Sequence, residues 1–390
     1  MKPANAVSLI SVMGLAQILA WSSTYYLPAV LVTPISSDTE WSITSVVIGL
    51  SVALLVAGVA SPKVGRTIDK HGGRATLASS SVLMSLGLLI MGSAQHLAIY
   101  YLAWCIIGVG MATGLYDAAF ATLGRLLGER AKSSISGLTL LGGFASTIGW
   151  PLLTILENEL GWRGACFVLA GIHLMIGLPI YLIFIPKVVA NPAANSVVMP
   201  SERPNLPVGH HHLFLLVSLL LTLLSLVTSS ISVHLLDTLQ LLGIATATAL
   251  AIGMVIGPAQ VIGRIGEFTL GKNSHPTLST RLGIILCLSG IALLLTAQPL
   301  LAFIAIALYG AGNGILTITR GTLPLVLFGS DGYGARMGLL ARPMLIAQAI
   351  GPIAAAICLD VYGANTLLLL LIGLVFAALI TSIRLPLRRS

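Results

Sequence analysis

The chain has 390 residues, of which 56% are hydrophobic and only 8% are charged, and its mean hydropathy is +1.00. An ordinary soluble protein carries about 25% charged residues, so this composition excludes a soluble globular domain and indicates a polytopic membrane protein. The net charge of +8 does not indicate a nucleic-acid-binding protein, because the Lys and Arg residues lie mostly in short segments between apolar runs.

Apolar runs recur along the whole chain, and a transmembrane helix needs about 20 apolar residues. We predict twelve such helices, in this order: 7–30, 43–62, 75–94, 97–123, 135–156, 163–185, 213–236, 243–263, 281–298, 300–325, 338–359 and 363–383. The first run continues through Tyr25 and Tyr26 without a clear cleavage site, so we expect a retained helix rather than a signal peptide.

The basic residues are distributed asymmetrically between the two sides of the predicted bundle. Of the 20 Lys and Arg, 17 are assigned to the cytoplasmic side and only Arg163 to the outer side, while Arg320 and Arg342 fall inside predicted helices rather than at their first residue. The positive-inside rule therefore predicts that both termini are cytoplasmic. We expect a multi-pass protein of a cell inner membrane.

The predicted helices divide into two groups of six. Residues 187–212 are rich in Pro, Asn, Ser and His and are expected to be a cytoplasmic linker between a bundle at 1–186 and a bundle at 213–390. Three consecutive histidines, His210–His212, could bind a metal ion, but a solvated segment at a helix start is the preferred interpretation.

The two groups repeat each other weakly at a shift of about 200 residues. The matching segments are Gly65–Asp69 with Gly263–Glu267, Gly110 and Gly114 with Gly310 and Gly314, Ile148–Pro151 with Ile350–Pro352, and Gly161–Trp162 with the neighbourhood of Gly363. Parallel six-helix repeats are typical of one major transporter architecture.

A motif lies in the predicted loop between the second and third helices. It contains Gly65, Asp69, Lys70, Gly72 and Arg74. This pattern resembles the loop signature of the major facilitator superfamily, with a departure at Gly73, where the family often has an Arg. The resemblance implies that the loop is a conformational latch; the alternative is a basic loop that only sets orientation.

The same resemblance implies an all-α membrane protein of the bacterial twelve-helix type, built from two pseudo-symmetric six-helix halves. In this family, helices one, four, seven and ten line the substrate cavity, and all four carry polar or aromatic stripes here. The expected cavity residues are Gln17, Trp21, Tyr25, Tyr116, Ser225, Ser229, Asn313, Thr317 and Arg320. The alternative for the Ser and Thr residues is that they hold membrane helices together.

Ionisable residues inside a membrane are costly and are functional candidates by default. Asp117 could carry a proton, or it could be a fixed anion paired with a nearby arginine. Arg320 and Arg342 could bind an anionic group, and Arg342 is a candidate for charge relay with Asp117; a salt bridge or snorkelling is the alternative for both arginines. His173 is expected to be a packed, hydrogen-bonded histidine.

No nucleotide-binding, hydrolase or dinucleotide motif is recognisable, so we expect neither an enzyme nor a cofactor or metal site. The prediction is a secondary active transporter of a small organic solute, anionic or zwitterionic, working by alternating access with proton coupling and export. Protons and the lipid bilayer are the expected partners, without nucleic acid, and the chain is expected to be a monomer. An uptake carrier or uncoupled facilitator of the same fold, or a non-translocating sensor, are the alternatives.

Overall fold

The computed structural model describes residues 3–187 and 211–387, and these residues form helices and no strand. The α-helices are α1 Pro3–Ser22, α2 Pro28–Thr39, α3 Ile43–His71, α4 Gly73–Gly92, α5 Leu97–Gly114, α6 Tyr116–Leu127, α7 Ala131–Gly142, α8 Ala145–Ile172, α9 Leu178–Phe184, α10 His211–Leu241, α11 Thr246–Met254, α12 Ile256–Thr269, α13 Pro276–Leu294, α14 Pro299–Phe328 and α15 Tyr333–Ile383. The all-α prediction is confirmed.

Eight helical stretches of the described residues are long and apolar enough to cross a membrane. Two of them, Leu97–Phe184 and Tyr333–Ile383, have 88 and 51 residues and are bent or interrupted. Since one crossing takes about 20 residues, such stretches exceed a single span. The count of twelve remains a prediction.

The chain divides into two compact units. The first contains Met1–Gly209 and Phe328–Arg342, and the second contains His210–Leu327 and Pro343–Ser390. α15 therefore begins in the first unit and continues into the second. Most of the predicted linker, residues 188–210 including His210, lies outside the described residues, while His211 and His212 begin α10. The three-part division proposed from sequence stays a prediction.

The first predicted helix, 7–30, is wrong in detail, because the structure has two helices separated by a turn at residues 23–27. Consecutive hydroxyls at Ser22, Ser23 and Thr24 donate to carbonyls one turn back, at 2.6–2.8 Å. Such side-chain bonds compete with the helix ladder, and Pro28 then supplies no N–H of its own. The helix consequently restarts at Pro28.

The predicted loop at residues 65–74 is also wrong in detail, because α3 continues through His71. Gly72 ends the helix with φ +82°, and its N–H donates to the Ile68 carbonyl at 2.8 Å. A glycine takes this left-handed conformation without the steric cost of a side chain. Asp69 therefore lies in the last turn of α3, and α4 begins directly after the break.

Two repeat-related glycines break their helices in the same way. Gly161 in α8 has φ +70° and ψ 171°, and Gly363 in α15 has φ +79° and ψ 176°. The sequence repeat matched Gly161–Trp162 with the neighbourhood of Gly363. Gly161 lies between two predicted helices, and Gly363 is the first residue of the predicted helix 363–383. The shared conformation supports the correspondence between the two groups of helices.

Candidate functional site

The helix break between α5 and α6 fixes the position of Gln17. Leu115 is extended, with ψ −172°, and the Gln17 Nε2 atom donates to the Gly114 carbonyl at 2.7 Å. The Gln17 Oε1 atom in turn accepts the Trp21 indole N–H at 3.1 Å. Gln17 is fully buried, so its amide orients Trp21 and satisfies the carbonyl at the break.

Trp21, Tyr25 and Tyr116, which the sequence assigned to two different helices, meet in the first unit. The Trp21 ring lies 5.4 Å from the Tyr25 ring and 4.9 Å from the Tyr116 ring, measured between centroids. Tyr116 is buried, whereas Trp21 and Tyr25 are partly exposed. The four first-unit cavity candidates therefore form one continuous group.

The second-unit candidates lie on α10 and α14. Ser225 and Ser229 are buried, and Ser229 donates to the Leu226 carbonyl at 3.1 Å. Asn313 accepts from Thr228 at 3.3 Å, and the Thr317 hydroxyl donates to the Asn313 carbonyl at 2.8 Å. The Ser229 bond lies within α10 and does not join two helices, so the cavity and helix-packing interpretations of the serines both stay predictions.

The predicted α14 stripe is partly exposed at three of its four positions. Asn313, Thr317 and Arg320 are half-buried, whereas Tyr309 is buried. Arg342 on α15 is exposed, which favours snorkelling over a buried anion site for that arginine. Arg320 is therefore the stronger candidate of the two for binding an anionic group.

The Asp69 carboxylate caps the start of α15. One oxygen accepts the Gly334 N–H at 2.9 Å, and the other accepts the Ala335 N–H at 2.6 Å. The first N–H groups of a helix have no partner within the helix, and they carry partial positive charge that favours an anion. Arg336 and Arg125 add electrostatic attraction.

Gly65 allows this contact because a Cβ atom at position 65 would collide with the Gly334 carbonyl oxygen. The other motif residues have different surroundings: Lys70 is exposed and Arg74 is half-buried. Arg336 holds the turn before α15 by donating to the carbonyls of Gly329, at 3.0 Å, and Asp331. The sequence motif did not reveal this arginine, because its acceptors are backbone atoms.

Asp117 lies in the first turn of α6 and is half-buried. It lines a small pocket together with Ser61, Gly65, Gly334 and Gly338. Two of these residues also belong to the Asp69 contact. The candidate proton carrier is therefore next to the capped helix end, and its place in the first helical turn also suits a fixed carboxylate.

Sequence reasoning missed further members of these groups. Tyr26 and Trp150 extend the aromatic contacts, at centroid distances of 6.1 Å from Trp21 to Tyr26 and 6.1 Å from Tyr26 to Trp150.

His173 is buried and lies 2.7 Å from the Ser23 hydroxyl, which confirms a packed, hydrogen-bonded histidine. Across the described ranges, no group of three metal-ligating side chains is present.

The sequence matches the family model described as Major Facilitator Superfamily over residues 13–341. Monocarboxylate transporter 13 of Bos taurus is 26% identical over 327 residues, covering 81% of this chain and 74% of that protein. Monocarboxylate transporter 11 of Mus musculus is 31% identical over 145 residues, so this chain covers only 30% of its length.

Solved structures with the same fold include the human organic anion transporter MFSD10 (TETRAN), with a TM-score of 0.76 and 14% identity over 98% of this chain and all of that one. The transporter FucP in the outward conformation has a TM-score of 0.74 and 12% identity, covering 97% of this chain and 99% of its own. At these identities the likeness concerns the fold alone.

Proposed function

We propose that this chain, which belongs to the major facilitator superfamily, transports a small organic anion or zwitterion and couples that transport to protons. The coarser statement, a multi-pass membrane protein that is a secondary transporter of a small molecule, follows from the family. The observation that carries the substrate class is Arg320, a half-buried cation and the one charged residue of α14. Intramembrane cations usually serve a ligand or a partner.

The names of similar proteins agree with this substrate class. Two matching relatives are called monocarboxylate transporters, and one structural neighbour is called an organic anion transporter. Arginine suits a carboxylate because its planar guanidinium can donate two parallel hydrogen bonds. In each unit, the candidate cavity residues named above are proposed to contact the transported molecule.

Proton coupling is proposed through Asp117, with Asp69 stabilising one conformational state. Asp117 lines a pocket that includes Gly65 and Gly334, so a change in its charge would act directly beside the capped end of α15. Family members alternate between states, and a carboxyl that gains a proton in one state biases the equilibrium toward that state. Export across a cell inner membrane by a monomer, with both termini cytoplasmic, completes the proposal.

Proteoliposome transport tests the proposal. Radiolabelled lactate and benzoate would be followed with and without an imposed pH gradient, in the native protein and in Arg320→Gln and Asp117→Asn variants. We expect the gradient to stimulate transport at least severalfold, Arg320→Gln to abolish anion transport, and Asp117→Asn to abolish the stimulation while exchange of labelled for unlabelled substrate persists.

The alternatives give different results in the same assay. Exchange with no response to the pH gradient would identify an uncoupled facilitator. Saturable binding without any flux would identify a non-translocating sensor. Full anion transport by Arg320→Gln would contradict the proposed substrate site, and in that case Arg320 is a structural cation.

A further inference from the structure

Six aromatic side chains of the first unit form one connected group, which we call the aromatic cluster: Trp21, Tyr25, Tyr26, Tyr116, Phe120 and Trp150. Adjacent ring centroids are 4.9–6.1 Å apart. The Tyr25–Tyr26 and Tyr26–Trp150 pairs are edge-to-face, and Tyr116 stacks on Phe120 at an interplanar angle of 7°. These are the arrangements that aromatic rings prefer.

Exposure increases from one end of the aromatic cluster to the other. Phe120 is fully buried and Tyr116 is 5% exposed, whereas Trp21 and both Tyr25 and Tyr26 are half-buried and Trp150 is 45% exposed. A cluster that served only as core would be buried throughout. Trp21 and Trp150 therefore keep exposed side-chain surface that can receive one further ring.

The central ring is held in one orientation. Gln17 accepts the Trp21 N–H at 3.1 Å and is itself anchored to the Gly114 carbonyl at 2.7 Å. Tyr116 contacts the same indole from α6 at 4.9 Å. A ring fixed before binding loses little freedom when a ligand arrives, which favours affinity.

The acidic residues near the aromatic cluster indicate whether it would bind a cationic or an uncharged group. An aromatic surface attracts cations, but a cation in a membrane interior requires a compensating acid. The first acid of the sequence is Asp38, after the whole of α1. Asp117, although adjacent to Tyr116 in sequence, lines the pocket with Ser61 and Gly334. The surroundings therefore favour an uncharged ring.

We infer that the aromatic cluster binds an aryl ring of the transported molecule, so that the preferred substrates are small aryl-bearing carboxylates rather than aliphatic ones. This identification of the substrate class rests on the proposed function, which supplies the carboxylate. The cluster adds the selectivity for the ring.

Matched probes test the inference: 3-phenylpropionate and 3-cyclohexylpropionate share charge and length and differ in the π system. Calorimetry on the purified native protein is expected to show roughly fivefold tighter binding of the phenyl compound, from ring contacts of about 1 kcal/mol. The Trp21→Leu variant is expected to bind both compounds equally. Trp21→Phe, which keeps a ring and fills most of the space, is expected to retain part of the preference.

Trp41→Leu is the matched control, because Trp41 pairs with Tyr100 at 5.5 Å in the same unit but outside the aromatic cluster. Its phenyl preference should equal that of the native protein. Equal affinities in the native protein, no binding of either probe at millimolar concentration, or preference for benzyltrimethylammonium would each overturn the inference. So would an unchanged preference in Trp21→Leu, the result expected if these rings only anchor the helix at a membrane interface.

Transport of the same two probes separates this inference from the proposed function. Equal flux of the two carboxylates in proteoliposomes, with equal affinities, would leave anion transport standing and remove the aryl site. Phenyl-selective binding that depends on Trp21, without flux of either probe, would leave the aryl site standing and remove the transport proposal.

Discussion

The end of α3 that contains Gly65 and Asp69 and the repeat-related segment of α12, Gly263–Glu267, each have a glycine at a close helix contact. The charged side chains of the two segments differ in their hydrogen-bond partners. A Cβ on Gly65 would collide with the Gly334 carbonyl, and one on Gly263 would collide with the Ala311 carbonyl. Asp69 places both carboxylate oxygens on backbone N–H groups of α15. At the other end Arg264 is 6% exposed, and within the described part of the chain its Nε and Nη1 atoms have no hydrogen-bond partner.

This difference separates two uses of one motif. The glycine permits close helix approach in both places, so it is a packing feature of the repeat. Capping of a helix start by a carboxylate occurs at Asp69, where an acid lies opposite two backbone N–H groups of α15. The proposed latch therefore depends on the acid and on the helix start together, and the glycine makes their approach possible.

The largest expected effect belongs to Asp69→Ala. Removal of two charge-assisted acceptors from the start of α15 is expected to cost about 2 kcal/mol. Amide exchange of a peptide covering residues 329–342 should then accelerate roughly 30-fold, as measured by hydrogen–deuterium exchange. Asp69→Asn, which keeps one carbonyl acceptor, should lie between native protein and Asp69→Ala.

A peptide from α13 is the internal control for that experiment and should exchange at the native rate. Unchanged exchange at residues 329–342 in Asp69→Ala would contradict the cap. Equal acceleration in both peptides would mean that the variant is globally destabilised, and the local assignment would then fail.

The two glycines provide the next test, because valine cannot be accommodated at either position without displacement of the facing backbone. Each substitution is expected to cost about 1–3 kcal/mol. Gly65→Val should accelerate exchange at residues 329–342, and adding Asp69→Ala should produce little further change, because both remove one contact. Gly263→Val should instead accelerate exchange in α12 and α14 and leave residues 329–342 unaffected. If the effects of Gly65→Val and Asp69→Ala on exchange were additive, this would show that Gly65 and Asp69 act separately.

The sequence predicted the acid of the latch but not its donors. Asp69 stands in a recognisable motif. The N–H groups that it binds belong to Gly334 and Ala335, which lie 265 and 266 positions further along the chain. Their identity depends on tertiary packing, for which the local pattern carries no information. The segment 65–71 was predicted as a loop because it lies between the apolar runs 43–62 and 75–94, yet only Gly72 has a conformation that ends the helix.

The candidate binding residues show a similar limit. Spacing of four residues grouped Gln17, Trp21 and Tyr25 on one predicted helical face. Their side chains do meet, but Tyr25 lies in the turn after α1 and not on the helix. A continuous helix would turn Tyr26 by about 100° from Tyr25, which is why the pattern left Tyr26 out. The turn at residues 23–27 instead brings both tyrosine rings near Trp21. That break depends on hydroxyl groups competing with the backbone, a weak signal in a membrane helix.

Arg336 supplies a smaller effect at the capped end. Its Nη2 atom donates to the carbonyls of Gly329 and Asp331, which hold the turn before α15. Arg336→Met is expected to destabilise this turn by about 1–2 kcal/mol and to accelerate exchange of the residue 329–342 peptide less than Asp69→Ala does. Arg336→Lys, whose single ammonium can retain one acceptor, is the control. Native exchange in Arg336→Met would show that the turn is held by the backbone alone.

The smallest effect, and one of opposite sign, is expected at Arg264 in the second unit. Burial of a guanidinium with two unpartnered nitrogens costs desolvation energy, whereas burial of an apolar side chain of similar length does not. Arg264→Met should therefore keep or raise the apparent melting temperature in detergent, by up to a few degrees. Arg264→Ala, which also removes packing contacts of the side-chain stem, should lower it. A fall in melting temperature for Arg264→Met as large as that for Arg336→Met would mean that the two arginines have equal structural roles. The contrast between the two segments would then lie only in the contact of Asp69 with the start of α15.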